Sequence, residues 1–226
     1  MAKFHSPQDC DLCPTKTHNP VCSVEGALCK VQSVRTASTY KAGQVIFYAG
    51  NNPLGLFTVQ RGLVKLEALS PSGDAHTLRL MGPGCVLGYR AMFAAEPYRA
   101  SAIAVEETQL CFIPKTEMMK LFEEFPAVAL NLAKQLSTDL RRAEEKWVQQ
   151  IDHEAPSRVA EALLFLNDHF STQSWTRREI AEWAGTTPET VMRSLSAYEK
   201  QGWIALDGKS IHILNRSSLS EKAHRT

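Results

Sequence analysis

Six cysteines carry the first chemical signal: Cys10, Cys13, Cys22, Cys29, Cys85 and Cys111, four of them before residue 30. Cys10-Asp-Leu-Cys13 is a C-x-x-C pair, a spacing that lets two thiolates face one centre. Zinc, an iron–sulfur cluster or a redox dithiol all suit it. Two more cysteines close behind strengthen a metal or redox role. The competing reading is a set of unliganded thiols on a loose tail, against which stands the usual burial or employment of cysteine. The scattered histidines (His5, His18, His76, His153, His169, His212 and His224) show no metal spacing. No nucleophile–base constellation or phosphate loop occurs, and no enzyme is expected.

The second signal is WTRREIAEWAGTTPETVMRSLSAYEKQGWIAL, starting at Trp175. Thr176 and Glu179 form a capping box that opens a helix. Ile180, Ala181 and Ala184 supply its buried face, and Gly185 stops it. Thr187 is a good N-cap and Pro188 a good first helical residue, so a second helix starts at once. Val191, Leu195 and Tyr198 face inward, and Gly202 ends the run. Two helices joined by a tight glycine turn make a helix-turn-helix. WIAL-Asp207-Gly208-KSIHIL then reads as a β-hairpin wing with a type I′ turn. Glu189, Met192 and Arg193 share the outer face of the second helix, where arginine can bridge guanine and glutamate can accept from cytosine. A surface Glu–Arg pair is the plainer reading; the cap–turn–cap frame around it favours base reading. Four basic residues here (Arg177, Arg178, Arg193, Lys200) are matched by four acidic ones (Glu179, Glu182, Glu189, Glu199). Phosphates must then be met by backbone amides at the helix start near Thr187 and by placed arginines such as Arg177.

These motifs need elements to position them. The chain has 226 residues, 44% hydrophobic and 22% charged, with a net charge of +1, which excludes a disordered chain and a global field for nucleic acid. No apolar run approaches a membrane span, and the N-terminus MAKFHSPQDCDLC has no long apolar h-region, so a cytoplasmic protein is expected. Residues 1–30 lack periodicity and form a cysteine-rich sensor segment that something else must tie down. Residues 31–125 hold short β-rich runs (QVIFYAG, LFTVQRG, LVKLEAL, HTLRLMG, QLCFIP) between glycines, which predicts an antiparallel sandwich or roll. Pro71-Ser72-Gly73 reads as a hairpin turn. Residues 126–152 predict one long helix with an apolar stripe of Val128, Leu132, Leu136, Leu140, Ala143, Trp147 and Ile151, suited to a dimer seam. Lys134, Asp139, Arg142 and Glu145 fall on the opposite face. Pro156 breaks this helix, and Ser157 to Asn167 reads as the next within a DNA-binding domain over 153–226. The fold class is α+β.

Taken together, the chain resembles the family of the cyclic AMP receptor protein and the fumarate and nitrate reductase regulator, and most of all its oxygen-sensing branch. The resemblance covers almost the whole chain, through AGQVIFYAG, LFTVQRGLVKL and LMGPGCVLG, the long helix, and TRREIAEWAGTTPETVMRSL. It implies an N-terminal β-roll like a cyclic-nucleotide-binding domain, a dimerisation helix and a C-terminal winged helix. It implies a homodimer on double-stranded DNA at a palindromic operator, with RNA polymerase as a further partner of an activator. Glu189 and Arg193 fall on the family's base-reading positions for a TGA half-site, while Met192 departs from the serine common in that branch. Arg99 sits where a phosphate-binding arginine belongs. Tyr89 replaces the ribose-binding glutamate and Ala100 the hydroxyl residue, which argues against a cyclic nucleotide. The oxygen-sensing branch holds a [4Fe–4S] cluster, and Cys10, Cys13, Cys22 and Cys111 match its ligands, the last through Cys111-Phe-Ile-Pro114. Cys22 closes a shorter loop than Cys29, and Cys85 is expected not to be a ligand. The implied function is a transcription regulator sensing oxygen or redox state through a labile cluster. The alternatives are a regulator of the same fold using zinc or thiols, or one using a cyclic nucleotide.

Overall fold

A computed structural model describes residues 3–5, 10–171, 173–208 and 210–224. Residues 1–2 and 6–9 of the expected sensor segment, and Lys209 of the expected wing turn, lie outside the described residues. The chain divides into two compact units, Met1–Asp74 with Leu78–Leu140, and Arg141–Thr226 with Ala75–Thr77.

The first unit opens with β1 (Lys3–His5), a short 3₁₀ turn (Cys10–Leu12) and helix α1 (Ala27–Val34). Strands β2 (Thr36–Tyr40), β3 (Val45–Phe47), β4 (Gly55–Arg61), β5 (Val64–Leu69), β6 (Ala75–Met81) and β7 (Val86–Leu87) follow. Helix α2 (Tyr89–Ala94), strands β8 (Ser101–Ala104) and β9 (Thr108–Pro114) and helix α3 (Lys115–Glu124) lead into the long helix α4 (Pro126–Asp152). One sheet has the order β1-β2-β9-β4-β7 and the other β3-β8-β5-β6, which is the expected roll. β5 and β6 are neighbours across the turn that holds Gly73 at φ 89°. β4 lies so close on β9 that a Cβ at Gly55 would meet the Ile113 carbonyl oxygen at 2.1 Å; only glycine permits that approach.

Strand alternation sorts the side chains of β9 to two cores. Leu110 joins Phe47, Val59, Val64, Met81 and Leu87 between the sheets. Ile113, two residues beyond Cys111 and so on the same face, joins a second core with Leu56, Met118, Leu121, Val128 and Leu132. Val21, Ala27 and Val31 are buried in this second core. It is what ties down the cysteine-rich segment, and a fully buried valine is worth roughly 1.5–3 kcal/mol.

The structure corrects several expectations. The sensor segment does not stop at residue 30: α1 runs across that boundary, with Ala27, Val31 and Val34 at helical spacing facing the core. The α4 stripe is not one seam. Val128 and Leu132 are buried in the roll's own core and Leu136 packs against it, whereas Leu140, Trp147 and Ile151 are 60–69% exposed. Asp139 is not on a solvated face. It is 5% exposed and accepts from Arg79, Tyr89 and, at 2.9 Å, Gln135 Nε2, because the roll supplies the cation and donors that a buried carboxylate needs. Pro156 does not break α4, which ends at Asp152; it sits in the first turn of α5 (Ala155–Phe170), where its missing N–H costs nothing.

The second unit contains α5, α6 (Arg177–Ala184), α7 (Pro188–Lys200), the hairpin β10 (Ile204–Asp207) and β11 (Ser210–Ile213), and α8 (Arg216–Ala223). Its core includes Val159, Leu166, Ile180, Val191, Leu195, Tyr198, Ile204 and Leu219.

The split stripe yields a stability test. Leu132→Ala should lower the free energy of unfolding by about 2–5 kcal/mol, the usual cost of a buried leucine cavity. Leu140→Ala in dilute protein should change it by about 0.5 kcal/mol or less. Urea unfolding followed by circular dichroism reads both.

Candidate functional site

Cys111 sits at the centre of the five-stranded sheet, opposite Ala37 on β2 and Thr58 on β4. Both neighbours are small. Cys10 is brought over this face by the 3₁₀ turn, and both cysteines are buried. Arg35 joins them: its Nε donates to Cys10 Sγ at 2.8 Å and its Nη1 to Cys111 Sγ at 3.0 Å. Cys22 is fixed by a turn around the buried Asn19, whose Oδ1 accepts from the Val21 and Cys22 backbone N–H groups at 2.9 and 3.1 Å. The Asn19 amide donates to the Gly84 carbonyl at 3.4 Å, anchoring that turn to the β6–β7 connection. Cys13 Sγ lies 3.3 Å from Thr15 Oγ1 and within 3.9 Å of Gln60 Nε2.

The electrostatics bind the same residues into one group. Burial pushes the Cys22 thiol up to about 12, and Cys10, Cys13 and Cys111 each push it further in that direction. Cys111 is pushed up to about 11, again by burial first, with Arg35 pulling the other way. These two thiols are protonated near neutral pH, so loading a metal centre here releases protons. Cys10, Cys13 and Cys111 thus lie near enough to Cys22 to act on its charge, and Arg35 bridges Cys10 to Cys111. Cys29 is exposed on α1, and Cys85 packs against the core between the sheets. Among the described residues, no three Cys, His, Asp or Glu side chains are placed to hold a single metal ion. Chemically the donor set is soft thiolate, the kind that an iron–sulfur cluster or zinc takes. Sequence reasoning missed Arg35 and Asn19, since neither carries a local signal of proximity to a cysteine.

The position expected of a cyclic nucleotide is occupied differently. Tyr89 is 3% exposed, with its hydroxyl on Asp139 and a bond from Arg79. The Arg99 side chain is 75% exposed and pairs with Glu96 at 3.8 Å.

The residues of the helix-turn-helix are set by local caps. Thr176 accepts from the Glu179 backbone N–H and Glu179 returns the bond, completing the capping box. Gly185 takes φ 62° at the end of α6, and Thr187 accepts from the Thr190 N–H to open α7. Glu189, Met192 and Arg193 stand exposed on one face of α7. The Glu189 carboxyl is held below its usual range by its own backbone N–H and the Thr187 hydroxyl, so it is an ionised acceptor. Arg193 donates to Thr190 Oγ1 at 3.2 Å. In the wing, Asp207 pairs with Ser210 and Gly208 takes φ 56°. Arg177 reaches the Gly208 carbonyl at 3.4 Å, linking α6 to the wing tip. Arg158, unnoticed in the sequence, donates to the carbonyls of Ala184, Gly185 and His153 at 3.0, 3.1 and 2.7 Å. It caps the end of α6 with a cation and stiffens the turn between α6 and α7.

A roll, a long helix and a winged helix with an exposed reading face define a DNA-binding transcription regulator, not an enzyme. Residues 37–125 match the family described as the cyclic nucleotide-binding domain, and residues 157–222 the Crp-like helix-turn-helix domain. The chain is 34% identical over 186 residues to the cyclic AMP receptor protein of Thermus thermophilus, covering 81% of this chain and 86% of that one. It is 26% identical over 221 residues to the transcriptional activator protein anr of Pseudomonas aeruginosa, covering 94% and 90%. A solved transcriptional regulator of the CRP/FNR family, also from Thermus thermophilus, superposes with a TM-score of 0.69 at 30% identity, covering 83% of this chain and 97% of that one. The chain belongs to the CRP/FNR family. No described helix is long and apolar enough to cross a membrane.

Burial ranks the thiols. In metal-free reduced protein, iodoacetamide should modify Cys29 first and Cys10 and Cys111 last, as mass spectrometry of peptides will read.

Proposed function

We propose that this regulator senses oxygen through a [4Fe–4S] cluster held by Cys10, Cys13, Cys22 and Cys111, and that it binds a palindromic TGA-containing operator as a homodimer. The observation that carries the reading is the Arg35 bridge between Cys10 and Cys111, with Cys13 and Cys22 near enough for Cys13 to act on Cys22, while Cys29 is exposed and Cys85 packs against the core between the sheets. The match to anr leaves too few residues uncovered to exclude Cys22, so it extends into the cysteine-rich segment. When bound, such a cluster supplies an iron–sulfur core that dioxygen can oxidise and strip from its thiolates.

The chain's own residues connect the site to α4. Pro20, two residues before Cys22, accepts from Asn131 Nδ2 at 3.2 Å. Val21 packs in the core that holds Val128 and Leu132 of α4. A change in how Cys22 is held is therefore felt by the first half of that helix. The second half presents Leu140, Trp147, Val148 and Ile151 to a second copy. Glu189 and Arg193 read bases, Met192 lies against a thymine methyl, and Arg177 and the amides at Thr187 meet phosphates. RNA polymerase is the further partner if the regulator activates.

The resemblance to cyclic AMP receptors favours a second reading, a cyclic nucleotide effector. Tyr89 and Arg99 oppose it. A ribose hydroxyl brought beside Tyr89 lacks its carboxylate, a loss of about 1–3 kcal/mol, and the exposed Arg99 does not line a buried phosphate site.

Anaerobic purification with iron and sulfide analysis tests the proposal. The protein should carry visible iron–sulfur absorbance, lost in each of Cys10→Ser, Cys13→Ser, Cys22→Ser and Cys111→Ser and kept in Cys29→Ser and Cys85→Ser. Air should remove it and weaken operator binding at least tenfold, about 1.4 kcal/mol, while cyclic AMP leaves affinity unchanged. Zinc in place of iron and sulfide, or equal DNA affinity with and without air, overturns it.

Base reading has its own test. Arg193→Ala should cost about 1–3 kcal/mol at a TGA half-site and relax discrimination there. Arg177→Ala should weaken all sequences alike and flatten the salt dependence. Gel shifts on specific and random duplexes over a salt series separate the two.

A further inference from the structure

Arg35 lies outside the set of four thiols, yet its position is set with care. It is the residue that leaves α1, with its backbone N–H still bonded to the Val31 carbonyl and its own backbone already extended. Two residues later Ala37 pairs with Cys111 across β2 and β9. Side chains two apart in extended chain share a face, so Arg35 projects over the face that carries Cys111. Its guanidinium spans from Cys111 to Cys10, sulfurs that lie 76 and 25 residues away from it in sequence. It is 5% exposed, and it is a cation acting on both Cys22 and Cys111.

We propose that Arg35 is the positioning residue of the iron–sulfur site, holding Cys10 beside Cys111 before assembly and serving as the buried counter-cation once the thiolates carry a cluster. The second half of this rests on the cluster reading above. A [4Fe–4S] core with four thiolates bears net negative charge, and burial makes a fixed neighbouring cation strongly favourable. N–H donors to the ligand sulfurs and the local charge also set how readily such a centre gives up electrons. Arg35 supplies both, from a flat fork that holds its donors in fixed directions toward two sulfurs, where a lysine offers a single mobile ammonium.

The test compares the full-length protein with Arg35→Met and Arg35→Lys. In anaerobic holo-protein, Arg35→Met should lower the reduction potential of the cluster and shorten its lifetime in air by about tenfold. Arg35→Lys keeps the charge and should return the potential close to the wild-type value. In metal-free protein, both variants should speed iodoacetamide modification of Cys10 and Cys111, leaving exposed Cys29 as the unchanged control. A wild-type potential and lifetime in Arg35→Met overturns the counter-cation role. Unchanged modification of Cys10 and Cys111 in Arg35→Lys overturns the holding role, and decides it even if Arg35→Met fails to fold. If the wild-type protein takes up no iron and sulfide, the cluster reading is what has failed; the modification rates then still judge whether Arg35 joins the two thiols.

Discussion

One apolar core governs the N-terminal half of the chain. Val21 and Val31 from the cysteine-rich segment, Leu56 and Ile113 from the sheet, and Val128 and Leu132 from α4 are all buried in it together. The cysteine-bearing turn is too short to fold alone, and it keeps its shape because Asn19 closes it and Val21 nails it to the roll. That packing carries Cys22 and the rest of the cysteine-rich segment onto the roll, where Cys10 lies over the sheet face that bears Cys111. Polar contacts finish the arrangement. Arg35 joins the two most buried thiols, and Asp139 fastens α4 to Arg79 and Tyr89.

The DNA-binding half depends on a different economy, one of helix ends. α6 is only eight residues long and needs its termini satisfied to hold shape. Thr176 and Glu179 satisfy its start, and Gly185 and the Arg158 guanidinium its finish. Thr187 and Pro188 then open α7 without a spare residue. With the backbone so constrained, the exposed face of α7 is free to be chosen for reading. This matters because acidic and basic residues balance in the motif. Attraction to the phosphate backbone is weak there, and placed donors must take the place of a general positive field.

What was legible in the sequence divides along the same line. The winged helix could be parsed residue by residue because each of its signals lies within four positions of what it controls, as Thr176 with Glu179 and Thr187 with Thr190 do. The strands LFTVQRG and QLCFIP and the bounds of α4 were legible from period and punctuation. The cysteine pattern, with the family resemblance, pointed to Cys10 and Cys111, which the fold joins through Arg35. What escaped was every long-range polar partner. Asp139 looks like one more charge on a helix face, and nothing near it in the chain announces Arg79, 60 residues earlier. Arg35, Asn19 and Arg158 escaped for the same reason. The helical spacing of Ala27, Val31 and Val34 was hidden because Cys29 and a short length disguised it.

The division of α4 explains how a small site can influence a large element. Its first half is buried in the roll's core, whereas its second half leaves Leu140, Trp147 and Ile151 exposed. Control of binding between distant sites typically needs about 1–3 kcal/mol of coupling. Burying or releasing a single valine accounts for roughly 1.5–3 kcal/mol. Val21 stands one residue from Cys22 and in the same core as Leu132. Repacking that one side chain as Cys22 is held or let go is therefore sufficient in energy to bias α4. No rearrangement of the roll itself is required, and the sheets, with their own separate core around Leu110, can remain as they are. Under the cluster reading proposed above, the rigid part of the roll stays out of the switch and the change is confined to the short cysteine-rich segment.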